Sequence, residues 1–285
     1  MTNLFNHILV PVNFNRNTNL VMQKAIQLAN EFGADLHVLH VQTPLITLPF
    51  IYEGIYVSPG NSMNSSKQTK RKMDELITEF SPLMKPGLEI NGTVVIGNWF
   101  TMMKETIITN HIDLVVIPKN PKRFFGALLY ELNLNRLSKQ TQCPVLTVTQ
   151  NLDLGHVKNI VVPVDDFLPI RKLTLATYIA RKYKAKVHLT GAGSNAEGKD
   201  LTNSIFLAKS YQLLNKYTDV QIHYPSNKSN TLAEDSLAYA KSVNADLIVV
   251  NPGKESRLGK WFSALLGKYL YKESSIPVLT VSPEQ

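Results

Sequence analysis

The sequence predicts an α/β chain built from two repeated, doubly wound parallel units of about five strands each. Three observations carry that expectation. One set of strand-like runs is written twice in the same order. Each run is apolar throughout, as in strands covered on both faces by helices. Longer segments of helical period separate the runs.

Taken along the chain, "HILVPV" (7–12) is answered by "NIVVPV" (159–164). "AIQLANEFGADLHVLHV" (25–41) is answered by "TYIARKYKAKVHLTGA" (177–192), with Ala29/Ala180, Ala34/Ala185 and His37/His188 in register. "DLVVI" (113–117) returns as "DLIVV" (246–250), and "CPVLTV" (143–148) as "IPVLTV" (276–281). Between the runs, "NLVMQKAIQLANEF" reads as a helix with a stripe through Leu20, Lys24, Ile26 and Leu28, and "NTLAEDSLAYAKSV" as one through Leu232, Leu237 and Ala240. Domains are expected at 1–150 and 154–285, joined by "TQNLDLGHVK" (149–158). In such sheets a ligand sits beyond the carboxyl ends of the strands where their order reverses. "NFN" and "DDF" after each opening strand, and "PKNPK" and "NPGKESR" after each fourth strand, fall there.

Composition narrows the class. With 44% hydrophobic and 18% charged residues the chain is globular rather than disordered. One cysteine, Cys143, excludes an internal disulfide and a cysteine metal cluster. No apolar run reaches membrane-spanning length and the N-terminus lacks a signal-peptide core, so the expectation is a cytoplasmic protein with no membrane partner. The net charge of +8 is spread evenly: residues 1–150 carry 13 Lys/Arg and 10 Asp/Glu, residues 151–285 carry 17 and 12. No basic run is interleaved with aromatics, so no nucleic-acid partner is expected, and "KQTKRK" (67–72) reads as a solvated helix face.

The order of these motifs, repeated, resembles the universal stress protein family in its tandem form, over nearly all of both halves. The resemblance implies the adenine nucleotide alpha hydrolase-like fold, dimerisation through the last strand, and hence an intramolecular pseudo-dimer of the two repeats. It also implies a cytoplasmic stress-response role, often with ATP or ADP bound and without an established reaction. Beyond the association of the repeats, a homo-dimer of whole chains and a protein partner not named by the sequence are the partners expected.

Nucleotide-binding members carry G-x2-G-x9-G-[ST] after the fourth strand. Its glycines let backbone N–H groups close around phosphates at a helix N-terminus. Counted back from "CPV", the first copy has Pro118, Pro121 and Glu131-Leu132 at those positions. Proline has no N–H to donate, and Glu131 brings a negative charge towards phosphate. The second copy has Asn251, Lys254 and Ala264-Leu265, with Gly253 beside the second position. The opening strands differ in the same direction. ATP-binding members place an aspartate at the first strand's end; Asp165 fits, whereas Asn13 is a neutral isostere.

The first site is therefore read as degenerate (Asn13, Pro118, Pro121, Glu131), the second as a weak nucleotide site (Asp165, Asn251, Gly253, Lys254). No tightly bound cofactor, no metal and no catalytic residue are expected; ATP or ADP belongs in domain 2 if anywhere. Helix capping explains Asp165 or Asp166 equally well, and Asn13 and Asn15 suit a turn. Lys119, Lys122, Arg123, Lys254, Arg257 and Lys260 suit solvated helix ends better than a grip on phosphate, and His37 and His188 read as packing residues. Residues 42–66 are the least repeated stretch; their apolar side chains predict that 45–57 are ordered and bury their aromatics.

Enzyme and receiver-domain readings find little. The Ser-Gly-Gly-x-Asp-Ser phosphate loop of ATP pyrophosphatases, the G-x-S-x-G elbow and the Walker A motif are absent. "VDD" (164–166) mimics a receiver's paired acids, but "VQIHYPS" (220–226) offers no aspartate to accept phosphate. A non-enzymatic stress-response binding or signalling protein is the expectation, with an ATP-binding member that hydrolyses slowly as the alternative.

Overall fold

The computed structural model describes residues 4–15, 18–42, 51–52, 55–56, 62–118, 135–149, 154–191, 200–223, 232–252 and 276–283. The chain divides into two compact units, residues 3–112 and 113–285.

In the first unit, β1 (His7–Pro11) leads through α1 (Thr18–Phe32) to β2 (Asp35–Gln42). The buried stripe of α1 is Val21, Met22, Ala25, Ile26, Leu28, Ala29 and Phe32. This corrects the stripe read from sequence: Leu20 and Lys24 are only half-buried, one position off the face that meets the sheet. Gly33 ends the helix at φ 68°, a left-handed conformation that lets the Ala34 N–H reach back to the Ala29 carbonyl at 2.9 Å. Ile51–Tyr52 (β3) and Ile55–Tyr56 (β4) pair antiparallel. The rest of 45–57, with the burial expected of its aromatics, lies outside the described residues.

The "KQTKRK" face of α2 (Ser62–Phe80) is mostly exposed, with an Arg71–Glu75 ion pair of 2.9 Å one turn apart. α2 packs on β5 (Ile90–Ile96), which runs into α3 (Trp99–Thr109). Asn98 caps α3 by accepting the Thr101 N–H on Oδ1 at 3.2 Å. β1, β2 and β5 are parallel, with β2 in the middle.

The second unit begins with β6 (Leu114–Pro118), a helix at 135–141 (α4) and β7 (Val145–Val148). It continues with β8 (Asn159–Val164), α5 (Ile170–Tyr183), β9 (Lys186–Gly191), α6 (Asp200–Asn215), β10 (Val220–His223), α7 (Leu232–Ser242), β11 (Leu247–Val250) and β12 (Val278–Thr280). The strand order is β10-β9-β8-β11-β12-β7-β6. The pairs β10-β9, β9-β8, β8-β11, β11-β12 and β7-β6 are all parallel. The exception is the antiparallel joint of β12 with β7, where Val278 faces Thr147 and Thr280 faces Val145.

This joint is the pseudo-dimer contact implied by the repeated "VLTV", and both strands are buried. Side chains reinforce it. Thr147 Oγ1 accepts the Val278 N–H at 2.9 Å and donates to the Val278 carbonyl at 3.2 Å, and the buried Ser138 and Ser282 hydroxyls meet at 3.0 Å. Pairing two closing strands removes two exposed edges at once. Cys143 is buried just before β7. Its thiol pKa is pushed far up, by loss of solvent first and by Asp113 second, so it is inert as a nucleophile.

Candidate functional site at the strand ends

Within the second unit the chain winds from β8 outwards through β9 to β10, then returns to lay β11 and β12 on the other side of β8. The crevice between β8 and β11 is therefore the point where the strand order reverses, the usual ligand position in such a sheet. Ile248 pairs with Val161, so the carboxyl ends of β8 and β11 lie level. Asp165 follows the last residue of β8 and Asn251 the last residue of β11, which brings these two sequence-selected residues to one crevice.

Their environments differ. Asp165 is half-buried. Asn251 is buried and donates its Nδ2–H to the Val281 carbonyl at 2.6 Å, while the Val281 N–H donates to Val250 at 2.8 Å. Asn251 thus pins the start of the loop after β11 to the end of β12. Gly253 and Lys254 lie outside the described residues, as do Pro121 and Glu131 of the first copy.

The crevice also holds a residue that motif reasoning missed. Lys172, in the first turn of α5, is 0% exposed and donates to the carbonyl of Pro163 in β8. A desolvated ammonium near the positive end of a helix is doubly unfavourable without anionic or dipolar compensation. The corresponding position of α1 is the buried Val21. A lysine standing in an otherwise apolar column of the repeat alignment is the signal that could have found it.

In the first unit, Asn13 follows β1 and is half-buried, beside Phe14 at φ 45°. His40 of β2 lies beneath. Its Nδ1–H donates to the Val12 carbonyl at 2.9 Å, and its ring sits 4.8 Å from that of Phe14. Burial holds His40 below the ordinary histidine value, against the pull of that hydrogen bond. Pro118 is the last residue of β6, in the second unit. It is buried opposite Val148, where its missing N–H removes a donor from the strand end.

The repeated histidine His188 sits away from the crevice, on the face covered by α7. Asn159 Nδ2 donates to the Val243 carbonyl at 3.2 Å, which turns its Oδ1 towards His188. His188 Nε2–H then donates to that oxygen at 3.1 Å, and the Tyr239 hydroxyl donates to Nδ1 at 2.9 Å. Both ring nitrogens of the neutral imidazole are engaged, as its reading as a packing residue requires. Burial, then Lys186, lowers the His188 pKa from 6.5, with Asp219 opposing.

His37 and His40 are lowered too, so the unfolded chain binds protons first as pH falls. The stability these neutral rings contribute is complete above 6.5 and drains as pH drops below it towards the depressed folded values. Thermal melts should show Tm falling below that pH, with a shallower fall in His188→Gln. A Tm independent of pH across the interval contradicts the assignment.

A sequence profile of the universal stress protein family matches residues 4–149. The chain belongs to the universal stress protein family. No curated protein sequence matches this family member. Among solved structures it is similar to a universal stress protein from Archaeoglobus fulgidus DSM 4304, with TM-score 0.71 and 15% identity over 99% of both chains. It is also similar to a functionally unknown protein, PA1789, from Pseudomonas aeruginosa PAO1, with TM-score 0.56 and 16% identity over 98% of this chain and 93% of that one. At such identities the likeness establishes the fold of both repeats. Among the described residues no helix is long and apolar enough to cross a membrane, and no group of three or more His, Cys, Asp or Glu is placed to hold a metal ion.

Proposed function

We propose that this universal stress protein is a cytoplasmic stress-response binding or signalling protein without a catalytic step of its own, taking adenine nucleotide at most weakly and only in its second repeat. Functionally the chain divides with its repeats, at 1–150 and 154–285, and one repeat has moved further from nucleotide chemistry than the other. The observation that carries this is the difference at the strand ends. The second repeat keeps a carboxylate, Asp165, at its crevice, with a fully buried lysine, Lys172, in the helix that follows. The first has a neutral amide, Asn13, after β1 and a donor-free proline, Pro118, at the end of β6.

Each hydrogen bond to a charged oxygen contributes roughly 1.5–3 kcal/mol, so losing two from a phosphate nest moves a micromolar site to about the millimolar range. Calorimetry of the full chain with ATP should give weak heats that vanish in Asp165→Ala. Micromolar binding that survives the substitution places the ligand elsewhere and overturns the reading. Steady release of ADP from the wild-type chain, abolished in the same variant, supports instead a slow ATPase.

A further inference from the structure

The parallel register of the first unit sets His7 opposite Asp35 and Leu9 opposite His37, so His7 and His37 are diagonal neighbours on one face. Nδ1 of His7 and Nε2 of His37 are 3.4 Å apart. For a hydrogen bond this is long, since N–H donors usually sit at about 2.7–3.2 Å. Two imidazole nitrogens bound at about 2.0–2.1 Å to a tetrahedral ion lie about 3.3–3.4 Å apart. The separation suits a shared metal ion better than a shared proton.

The second repeat shows what the first has given up. There the counterpart of His37 is His188, sealed by Asn159 and Tyr239. His7 stands at the position of Asn159, and Thr106, seven residues before Asp113, stands where Tyr239 precedes Asp246. The hydrogen-bonding amide has become a second imidazole, and the covering phenol has become a small hydroxyl that donates to the Met102 carbonyl at 2.7 Å. His7 and His37 are each only half-buried, which leaves a path from solvent.

We propose that His7 and His37 form a binding site for a borderline divalent metal ion of the zinc or nickel class, held by His7 Nδ1 and His37 Nε2 with water completing the coordination. Two imidazoles suit this class of ion, and an open site with only two protein ligands binds reversibly. The site lies at the amino end of β1, some six residues and about 20 Å from Asn13, so it is separate from the strand-end crevices. Asp35 faces His7 in the strand register and lies on the same face, so it brings a carboxylate beside the pair.

The test is zinc titration by calorimetry of the tag-free full chain at pH 7.5, with His7→Asn, which copies the second repeat, and His37→Gln. His111→Asn serves as a control, since His111 is exposed at φ 50°, where asparagine is at ease. One zinc per chain is expected, weakened about tenfold or more by either pair variant and unchanged by the control. Zinc should also raise the Tm of the wild type and not of His7→Asn. Absence of binding, binding indifferent to both pair variants, or equal loss in His111→Asn overturns the proposal.

Discussion

Replacing Ile248 with alanine is expected to lower the stability of the second unit by about 2–5 kcal/mol, the range for truncating a fully buried aliphatic side chain. Ile248 is 0% exposed in β11. It pairs with Val161 on one side and Val278 on the other, so its side chain is flanked by theirs on one face of the sheet. The cluster around it includes Leu237 and Ala240 of α7, Ala245 and Ile276. Short strands fixed on both sides and a helix packed above leave the cavity little room to collapse, which puts the effect in the upper part of the range. Urea unfolding followed by circular dichroism measures it; a loss below about 1 kcal/mol means that this core is not close-packed.

Gly92→Ala tests the first unit in the opposite way, by overfilling. Gly92 lies in β5 opposite Val38, under α2. A Cβ there meets Met73 Cγ at 2.7 Å, Ile77 Cγ1 at 2.8 Å and Met73 Sδ at 2.9 Å. Carbon atoms pack at about 3.5–4.0 Å, so α2 must shift or both side chains must leave their rotamers. Met73 is flexible, but Ile77 is β-branched and stiff. Overpacking costs about 1–3 kcal/mol, against about 0.4–1 kcal/mol gained by restricting the unfolded chain. Net destabilisation is expected, and partial recovery in Gly92→Ala with Ile77→Ala. An alanine variant as stable as the parent contradicts the packing of α2 on β5.

The repeated architecture was legible because it rests on local patterns. "HILVPV" and "NIVVPV" are apolar without alternation, and each is followed by a helical period, so parallel buried strands were implied before any contact was known. The β7–β12 joint was legible because identical "VLTV" segments close both repeats. The stripe of α1 was misplaced because Leu20 and Val21 differ by one position, and a period of 3.6 does not choose between them over so short a segment.

Contacts set by register were out of reach. Thirty residues separate His7 from His37, and only the pairing of β1 with β2 makes them neighbours. His188 was placed correctly as a packing residue, yet its partners Asn159 and Tyr239 come from two other elements, β8 and α7. Lys172 escaped because a search for glycines and aspartates after strands passes over a cation in the first turn of a helix.

The central claim, that neither repeat keeps a working phosphate nest, is tested most directly by native mass spectrometry of the full chain as purified. The purified protein should show the mass of the chain with no nucleotide retained, and complexes with ATP or ADP should form only when about millimolar nucleotide is added. A nucleotide carried through purification at one per chain contradicts it, because in the reading proposed above Pro118 offers no backbone donor and Asn13 no carboxylate to hold a ligand that tightly.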